Sequence, residues 1–205
     1  MKIILATSNP GKLREMQAAV AGLPVQPLDP SAIGQLLSID EDGKTFAENA
    51  LKKARAYVDW YGEAAIADDS GLEVDALDGA PGVFSKRWLG PDVPESELVP
   101  TLLERMQGVP DEERGAQFRT AAALALPDGR YFIEEGIFRG SITPVPSQRN
   151  LSGLPYRQIF YVQEYGKRYA DLTLEEDAAL MNHRTQAFMK LADTIQNLLA
   201  PERSI

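Results

Sequence analysis

Strand-like and helix-like segments alternate along the first third of this 205-residue chain. The opening MKIILATSNPGKLREMQAAVAG begins with an apolar run that predicts a buried strand, and Leu13, Met16 and Val20 follow at helical spacing. In TFAENALKKARAYV, Thr45 and Glu48 form a capping box ahead of a second helical stripe. AAIADDSG predicts a buried strand that ends in two aspartates, and LEVDAL alternates as a further strand. Alternation of this kind favours a parallel sheet flanked by helices.

The second half of the chain predicts antiparallel pairing and a long final helix. QFRTAAALAL and RYFIEEGIF flank PDG, a turn sequence, so a hairpin is expected between Gln117 and Ile142. Before it, Pro100 in ESELVPTLLERM must either kink a helix or lie at the start of a second one. After it come a long loop over residues 143–157, a short strand IFYV, and a capping box of Thr173 and Glu176. One amphipathic helix is then marked by Leu174, Met181, Phe188, Leu191, Ile195 and Leu198. The predicted fold class is α/β with a mixed sheet.

Composition excludes several classes of function. The chain has no cysteine and one histidine, which excludes disulfides, thiolate metal sites and multi-histidine sites. Its 21 Lys and Arg against 30 Asp and Glu give a net charge of −9, which argues against binding a nucleic acid polymer. A mononucleotide carried with a divalent cation is still permitted. The length allows one large domain or one domain split into two lobes. No apolar run reaches membrane-spanning length and IILA is too short for a signal peptide, so a soluble cytoplasmic protein is expected.

The loop TSNPGK is a candidate phosphate site. It joins a predicted strand to a predicted helix, where free backbone N–H groups and the positive helix end converge beside Thr7, Ser8, Asn9 and Lys12. The spacing is not that of a Walker A motif, so the P-loop mechanism is not implied. The alternative is an ordinary connection with a solvated Lys12.

Two adjacent aspartates, Asp68 and Asp69, indicate a magnesium site. Neighbouring residues on a strand point to opposite faces, so one carboxylate can reach a ligand while the other bonds within the fold. Oxygen ligands of this kind suit Mg²⁺. The alternative is a turn, since Ser70 and Gly71 follow. The acidic stretch of residues 40–42 supplies either a further ligand, Glu41, or only a solvated surface.

Two helical pairs offer further candidates. Asn49 and Lys53 lie four residues apart and either neutralise a polyphosphate or belong to an exposed stripe in which Glu48 supports Lys52. His183 and Arg184 fall in the last predicted helix, where a lone histidine is commonly packed or capping. No GxSxG elbow accompanies the histidine to support a catalytic triad.

Taken together, four segments resemble the inosine triphosphate pyrophosphatase family. They are LATSNPGKLREM, EDGKTFAENALKKAR, IADDSGLEVDALDGAPGVFSKRW and, more weakly, NHRTQAFMKL. The resemblance implies an elongated mixed α/β fold of two lobes with a cleft between them, usually as a homodimer. It also implies Mg²⁺-dependent cleavage of non-standard purine nucleoside triphosphates, such as ITP, dITP and XTP, to a nucleoside monophosphate and pyrophosphate.

The resemblance also assigns roles to individual positions. The phosphates would be held by Thr7, Ser8, Asn9, Lys12, Lys53 and Ser70. Glu41 and Asp69 would hold Mg²⁺, with Asp68 as a supporting carboxylate and third candidate ligand. Asp69 would accept the proton of the attacking water, and Lys12 and Lys53 would complete the catalytic set.

The segment expected to recognise the base departs from the family. Where the family has a Gly-Phe-Gly-Tyr-Asp-Pro type of loop, this chain reads GLPYRQIF, with Leu154 at the stacking position, then Tyr156, and Arg157 in place of the acid. Asp177 stands where the family has lysine, while His183 and Arg184 are retained. Arg157 and Asp177 are therefore predicted to form one charge-reversed pair. The alternative is that this late segment has simply diverged and is aligned out of register.

The sequence thus predicts a Mg²⁺-dependent nucleoside triphosphate pyrophosphohydrolase with an altered base preference. Two alternatives stay open. One is a nucleotide-binding protein without efficient turnover, and the other is a metal-dependent phosphatase that releases orthophosphate from a smaller ester.

Overall fold

The computed structural model describes residues 1–34, 36–149, 151 and 153–200. Its strands are β1 (Lys2–Leu5), β2 (Gln26–Leu28), β3 (Ala64–Val74), β4 (Gly115–Ala125), β5 (Tyr131–Ile142), β6 (Phe160–Val162) and β7 (Lys167–Arg168). Its α-helices are α1 (Pro10–Val20), α2 (Pro30–Ile33), α3 (Phe46–Tyr61), α4 (Leu98–Arg105), α5 (Leu174–Ala179) and α6 (His183–Leu199).

The seven strands form one mixed sheet in the order β2-β1-β3-β4-β5-β6-β7. β1 runs parallel to both β2 and β3, whereas β6 runs antiparallel to β5 and β7. Ile3, Ile4 and Leu5 are fully buried, as expected for a parallel strand covered on both faces. The predicted α/β class is confirmed.

β3 differs from its prediction. The sequence predicts two strands with the aspartates at the end of the first, but β3 is one strand of 11 residues with Asp68 and Asp69 near its middle. Only Asp75–Leu77, the end of LEVDAL, leaves the strand, as a 3₁₀ helix. Leu72 and Val74 are fully buried, and this apolar alternation continues the strand past the potential turn at Ser70.

The helix starts agree with the capping patterns, with one shift. Asn9 caps α1, and Thr45 caps α3 by accepting a hydrogen bond from the Glu48 N–H. The Glu48 carboxylate accepts from the Lys44 N–H at 2.6 Å, one residue before the position that a capping box predicts. The start of α3 is therefore held by two hydrogen bonds, one that Thr45 accepts from the Glu48 N–H and one that Glu48 accepts from the Lys44 N–H.

Pro100 and the hairpin behave as the sequence allows. Pro100 lies in the first turn of α4, which begins at Leu98 after a short 3₁₀ helix, so the second of the two alternatives is correct. The PDG turn joins β4 to β5, and the Gly129 N–H donates to the Leu126 carbonyl at 3.0 Å. The predicted hairpin is confirmed.

The prediction of one long C-terminal helix is wrong, because the chain forms two helices there. Thr173 and Glu176 make the predicted capping box for α5, but α5 ends at Ala179. The Asn182 side chain then accepts from the N–H groups of Arg184 and Thr185 and starts α6. An asparagine amide that caps a new helix competes with continuation of the old one. Leu174, expected on the apolar stripe, is 89% exposed.

The chain divides into two compact units. The first comprises residues 1–70, 120–136 and the chain from Asn182 onward, and the second comprises residues 71–119 and 137–181. In the first unit, α1 packs against α6. Its core contains Ile3, Leu5, Met16, Val20, Ile66, Leu124, Phe188, Leu191 and Ile195. The core of the second contains Leu72, Leu98, Leu102, Met106, Phe118, Phe160 and Tyr169. Within the described part of the chain, no helix is long and apolar enough to cross a membrane.

One glycine sets the position of the start of α6. A Cβ atom added at Gly136 in β5 would lie 2.0 Å from the His183 carbonyl oxygen and 2.8 Å from the Ala187 nitrogen. Only glycine permits this approach of strand to helix. The approach places His183 and Arg184 over the sheet of the first unit.

Candidate active site

Asp68 and Asp69 lie side by side in β3 and make separate sets of contacts within the first unit. The Asp68 carboxylate is 2.9 Å from Lys12 Nζ and 3.4 Å from Arg184 Nε. The Asp69 carboxylate accepts a hydrogen bond from Asn49 Nδ2 at 2.9 Å and lies 3.9 Å from Lys53 Nζ. Both aspartates are buried. The two sets of partners agree with the opposite faces that adjacent strand residues present.

The Asp68 cluster joins three elements of the first unit. Lys12 comes from the first turn of α1 and Arg184 from the first turn of α6. The remaining guanidinium nitrogens of Arg184 donate to Glu15 at 3.0 Å and to Ser70 Oγ at 3.3 Å. Arg184 therefore connects α6 to α1 and to β3.

Electrostatics keep Asp68 ionised. Burial alone would raise the pKa of this carboxyl, but the positive charges of Lys12, Arg184 and Lys53 outweigh it and lower the pKa to about 2. Burial lowers the pKa of Lys12 more than its attraction to Asp68 raises it. The cluster thus holds a desolvated ammonium group against a carboxylate that is ionised at neutral pH.

This pKa shift predicts how stability depends on pH. Because the pKa of Asp68 falls on folding from 3.8 to about 2, the charged form contributes about 2 kcal/mol above pH 3.8, and this is lost as pH falls toward 2. We therefore expect the stability difference between wild type and Asp68→Asn to shrink by about 1 kcal/mol between about pH 6 and about pH 3. Urea unfolding in EDTA measures it, and a constant difference would contradict the prediction.

The Asp69 cluster is built from α3 and the loop before it. Lys53 Nζ is 2.9 Å from Glu41 Oε1 and bridges toward Asp69. Burial raises the pKa of Asp69 more than Lys53 and Asn49 lower it. The carboxylates of Asp68, Asp69 and Glu41 outweigh the burial of Lys53 and raise the pKa of its ammonium. Asp69 is thus the more basic of the two aspartates, as a proton acceptor requires.

The residues present fit a magnesium ion held by two carboxylates. The carboxylates of Glu41 and Asp69 lie 2.9 Å and 3.9 Å from the same Lys53 Nζ, so both face one cationic group. Mg²⁺ in nucleotide sites is commonly held by one or two carboxylates together with phosphates and water. Across the described residues, no three acidic or histidine side chains converge on a metal position. Asp68 turns to Lys12 and Arg184 instead, so its part as a third ligand stays a prediction.

The TSNPGK loop uses most of its own donors. Thr7 Oγ1 accepts from the Asn9 N–H at 3.1 Å, and Asn9 Oδ1 accepts from the N–H groups of Gly11 and Lys12. The expectation of several free N–H groups here is therefore wrong. What the loop offers a phosphate is the positive end of α1 and the side chains of Ser8 and Lys12.

Asn49 lies inside the fold rather than on an exposed stripe of α3. It is fully buried, and its amide lies between the Gly43 N–H and Asp69. The side chain has no exposed surface in this structure, and its contact with a polyphosphate stays a prediction. Lys52, for its part, pairs with Asp42 at 2.6 Å rather than with Glu48.

The charge-reversed pair is confirmed, within the second unit. Arg157 Nη1 is 2.9 Å from Asp177 Oδ2, and Arg157 Nη2 donates to the Tyr169 hydroxyl at 3.1 Å. The guanidinium carbon lies 3.9 Å from the Tyr169 ring centroid. Arg157 is thus fixed by an ion pair and an aromatic ring.

Of the other residues predicted to bind the base, two are buried, Tyr156 and His183. Tyr156 is buried and its hydroxyl donates to the Ser85 carbonyl at 2.9 Å, and its contact with a base stays a prediction. Leu154 directly precedes the 3₁₀ helix Pro155–Gln158. His183 is buried at the start of α6, as the packed alternative requires. Residues 150 and 152 of the long loop lie outside the described residues.

Sequence reasoning missed three residues of these clusters. Glu15, which pairs with Arg184, is three positions after Lys12 on α1. This helical spacing could have placed it on the same face of the helix as Lys12. Gly43 contacts Asn49 across a loop, and Tyr169 lies under Arg157. Neither of these two has a signal in the sequence, because both depend on tertiary packing.

These features define a mixed α/β protein whose first unit gathers Lys12, Lys53 and Arg184 around paired carboxylates on a central strand. The chain belongs to the Ham1 family, since the family model matches residues 3–194. The family resemblance seen in the sequence is thereby confirmed.

Relatives match along nearly the whole chain. It is 42% identical over 200 residues to a Streptomyces coelicolor protein named dITP/XTP pyrophosphatase, covering 97% of this chain and 98% of that protein. A Geobacter sulfurreducens protein of the same name is also 42% identical, over 192 residues, covering 94% and 95%. Among solved structures, a HAM1 protein from Coxiella burnetii matches with a TM-score of 0.85 and 35% identity, covering 96% of this chain and 99% of that one.

Proposed function

We propose that this protein is a Mg²⁺-dependent nucleoside triphosphate pyrophosphohydrolase. It would cleave non-standard purine nucleoside triphosphates such as dITP, ITP and XTP into the nucleoside monophosphate and pyrophosphate. The observation that carries the proposal is the pairing of Glu41 and Asp69 around Lys53, beside a second cluster of Lys12, Asp68 and Arg184. The names of the relatives support the substrate class.

The charges suit a triphosphate and its cleavage. A triphosphate carries about four negative charges near neutral pH, and release of pyrophosphate concentrates that charge on the leaving group. Lys12 and Lys53 are held at fixed positions by Asp68 and Glu41 and would neutralise it. Thr7, Ser8 and Ser70 would add hydroxyl contacts.

Asp69 is proposed as the proton acceptor for the attacking water. Burial has raised the pKa of its carboxyl, and Asn49 fixes one of its two oxygens. The magnesium ion, held by Glu41 and Asp69, would neutralise phosphate charge and lower the pKa of bound water. Asp68 acts differently, as the ionised partner that holds Lys12 and Arg184.

Base preference is proposed to depend on Leu154, Arg157 and Asp177. Since Arg157 is committed to Asp177 and Tyr169, the exposed part of the Asp177 carboxylate would be the acceptor offered to a base. His183 and Arg184 would contribute through the start of α6. Four further expectations stay predictions. They are a single domain of two lobes with an intervening cleft, a homodimer, a cytoplasmic location, and the lack of nucleic acid polymers or membranes as partners.

A substrate panel tests the function. Purified protein with Mg²⁺ is given ITP, dITP, XTP and the standard purine and pyrimidine triphosphates, and pyrophosphate and orthophosphate are assayed separately. We expect pyrophosphate release, with kcat/KM highest for a non-standard purine. Orthophosphate as the product would indicate a phosphatase instead. Calorimetric binding without any product would indicate a nucleotide-binding protein.

A further inference from the structure

We propose that Asn49 is a positioning residue that couples the loop bearing Glu41 to Asp69, so that divalent-metal affinity depends on its side-chain amide. The inference rests on the proposed function, since it takes Glu41 and Asp69 as the metal ligands. It assigns Asn49 a role apart from substrate contact.

The contacts of Asn49 point in two directions from one buried amide. Its Nδ2 donates to Asp69 Oδ2 at 2.9 Å, and its Oδ1 accepts from the Gly43 N–H at 2.8 Å. The residue is fully buried in the first turn of α3. The amide therefore bridges β3 and the loop that precedes α3.

The Gly43 N–H and the Asp69 carboxylate fix the orientation of the Asn49 amide. Few other side chains could make both hydrogen bonds. A backbone N–H can only donate, and an ionised carboxylate can only accept. One side chain must therefore present an acceptor to Gly43 and a donor to Asp69. Aspartate has the shape of asparagine but supplies no donor when ionised, and alanine supplies neither group.

Gly43 shows how closely the loop is held. A Cβ atom at this position would lie 2.6 Å from Asn49 Oδ1 and 2.9 Å from the Glu48 Cβ atom. Gly43 is two residues from Glu41, so the bond to Asn49 limits where the Glu41 backbone can lie. The ion pair of Lys52 with Asp42 is largely exposed and restrains the loop weakly.

Metal sites depend on such indirect contacts. Loss of a hydrogen bond that orients a ligating side chain typically weakens metal affinity or activity about 10-fold to 100-fold. Asn49 orients one proposed ligand directly and the other through its loop. Removal of the Asn49 amide should therefore weaken metal binding more than the loss of either contact alone.

The test measures metal binding without turnover. Mn²⁺ is titrated into nucleotide-free wild type, Asn49→Asp and Asn49→Ala, and free Mn²⁺ is followed by electron paramagnetic resonance. We expect the Kd for Mn²⁺ to rise about 10-fold to 100-fold in both variants. In parallel assays kcat should fall while KM for the nucleotide changes less than about 3-fold, because the role proposed for the buried Asn49 side chain involves no contact with substrate. Asn197→Asp is the matched control, since it makes the same change at an exposed position of α6.

A second variant guards against misfolding of the first. Gly43→Ala leaves Asn49 intact but forces its Oδ1 away, so it should also weaken Mn²⁺ binding, and thermal unfolding establishes that each variant is folded at the assay temperature. A folded Asn49→Ala that binds Mn²⁺ with wild-type affinity overturns the inference, as does a large rise in nucleotide KM alone. Wild type that shows no turnover across the panel overturns the proposed function instead, while the Mn²⁺ comparison still decides the role of Asn49.

Discussion

Replacing Asp69 by asparagine is expected to lower kcat/KM for the preferred nucleoside triphosphate by about 10³-fold, within the range that general bases contribute. Asparagine keeps the shape of the side chain but cannot accept the proton of the attacking water. It also removes one of the two carboxylates that approach Lys53 Nζ. Pyrophosphate release under steady-state conditions measures the effect.

Stability separates this loss from unfolding. Because burial raises the pKa of the Asp69 carboxyl, its ionised form costs folding free energy at neutral pH, and the neutral amide should melt no lower than wild type. Asp193→Asn is the matched control, since it removes an exposed carboxylate from α6 of the same unit and should leave kcat/KM unchanged. If Asp69→Asn keeps more than about a tenth of the wild-type kcat/KM, the loss is smaller than removal of a general base causes, and the prediction is contradicted.

Features that depend on neighbouring residues along the chain were predictable from the sequence. The strand–loop–helix opening, the PDG hairpin and the cap at Thr173 all use side chains and backbone groups a few positions apart. The charge-reversed pair of Arg157 and Asp177 was predictable for a different reason. Two substitutions of opposite sign only make sense together if the side chains meet, and they do.

Features that depend on tertiary packing were not predictable. Ser70 and Gly71 look like a turn, but Leu72 and Val74 are buried and carry β3 onward, so the aspartates lie within the strand. Asn49 reads as a polar helix residue, and nothing in its neighbourhood reveals that the fold covers it completely. In both cases the sequence does not reveal which side chains are buried in the folded protein.

The separation of roles between Asp68 and Asp69 follows from this placement. In mid-strand, the two faces differ: Asp68 meets Lys12 and Arg184, and its pKa falls, while Asp69 is dominated by burial, and its pKa rises. Of two adjacent and chemically identical groups, Asp68 is thereby an ionised partner of cations, and Asp69 is better suited to the proton-accepting role proposed for it.

Replacing Lys12 by methionine is expected to lower kcat/KM by about 10²-fold to 10³-fold, the range found when one charge-stabilising donor is removed. Methionine keeps an unbranched apolar stem but removes the ammonium group 2.9 Å from Asp68. Lys2→Met is the matched control, because Lys2 is exposed and pairs only loosely with Glu63 at 3.4 Å. Steady-state kinetics on the preferred triphosphate measure both variants.

A double variant decides whether Lys12 acts on the substrate or only on Asp68. If Lys12 merely neutralises Asp68, then Lys12→Met with Asp68→Asn removes both charges together and restores activity. If Lys12 stabilises charge on the phosphates, the double variant stays as inactive as Lys12→Met, although its stability recovers because no buried carboxylate is left without its nearest cation. We expect the second result. Recovery of kcat/KM to within about 3-fold of Asp68→Asn alone would instead make Lys12 a structural partner of Asp68 and remove it from the catalytic set.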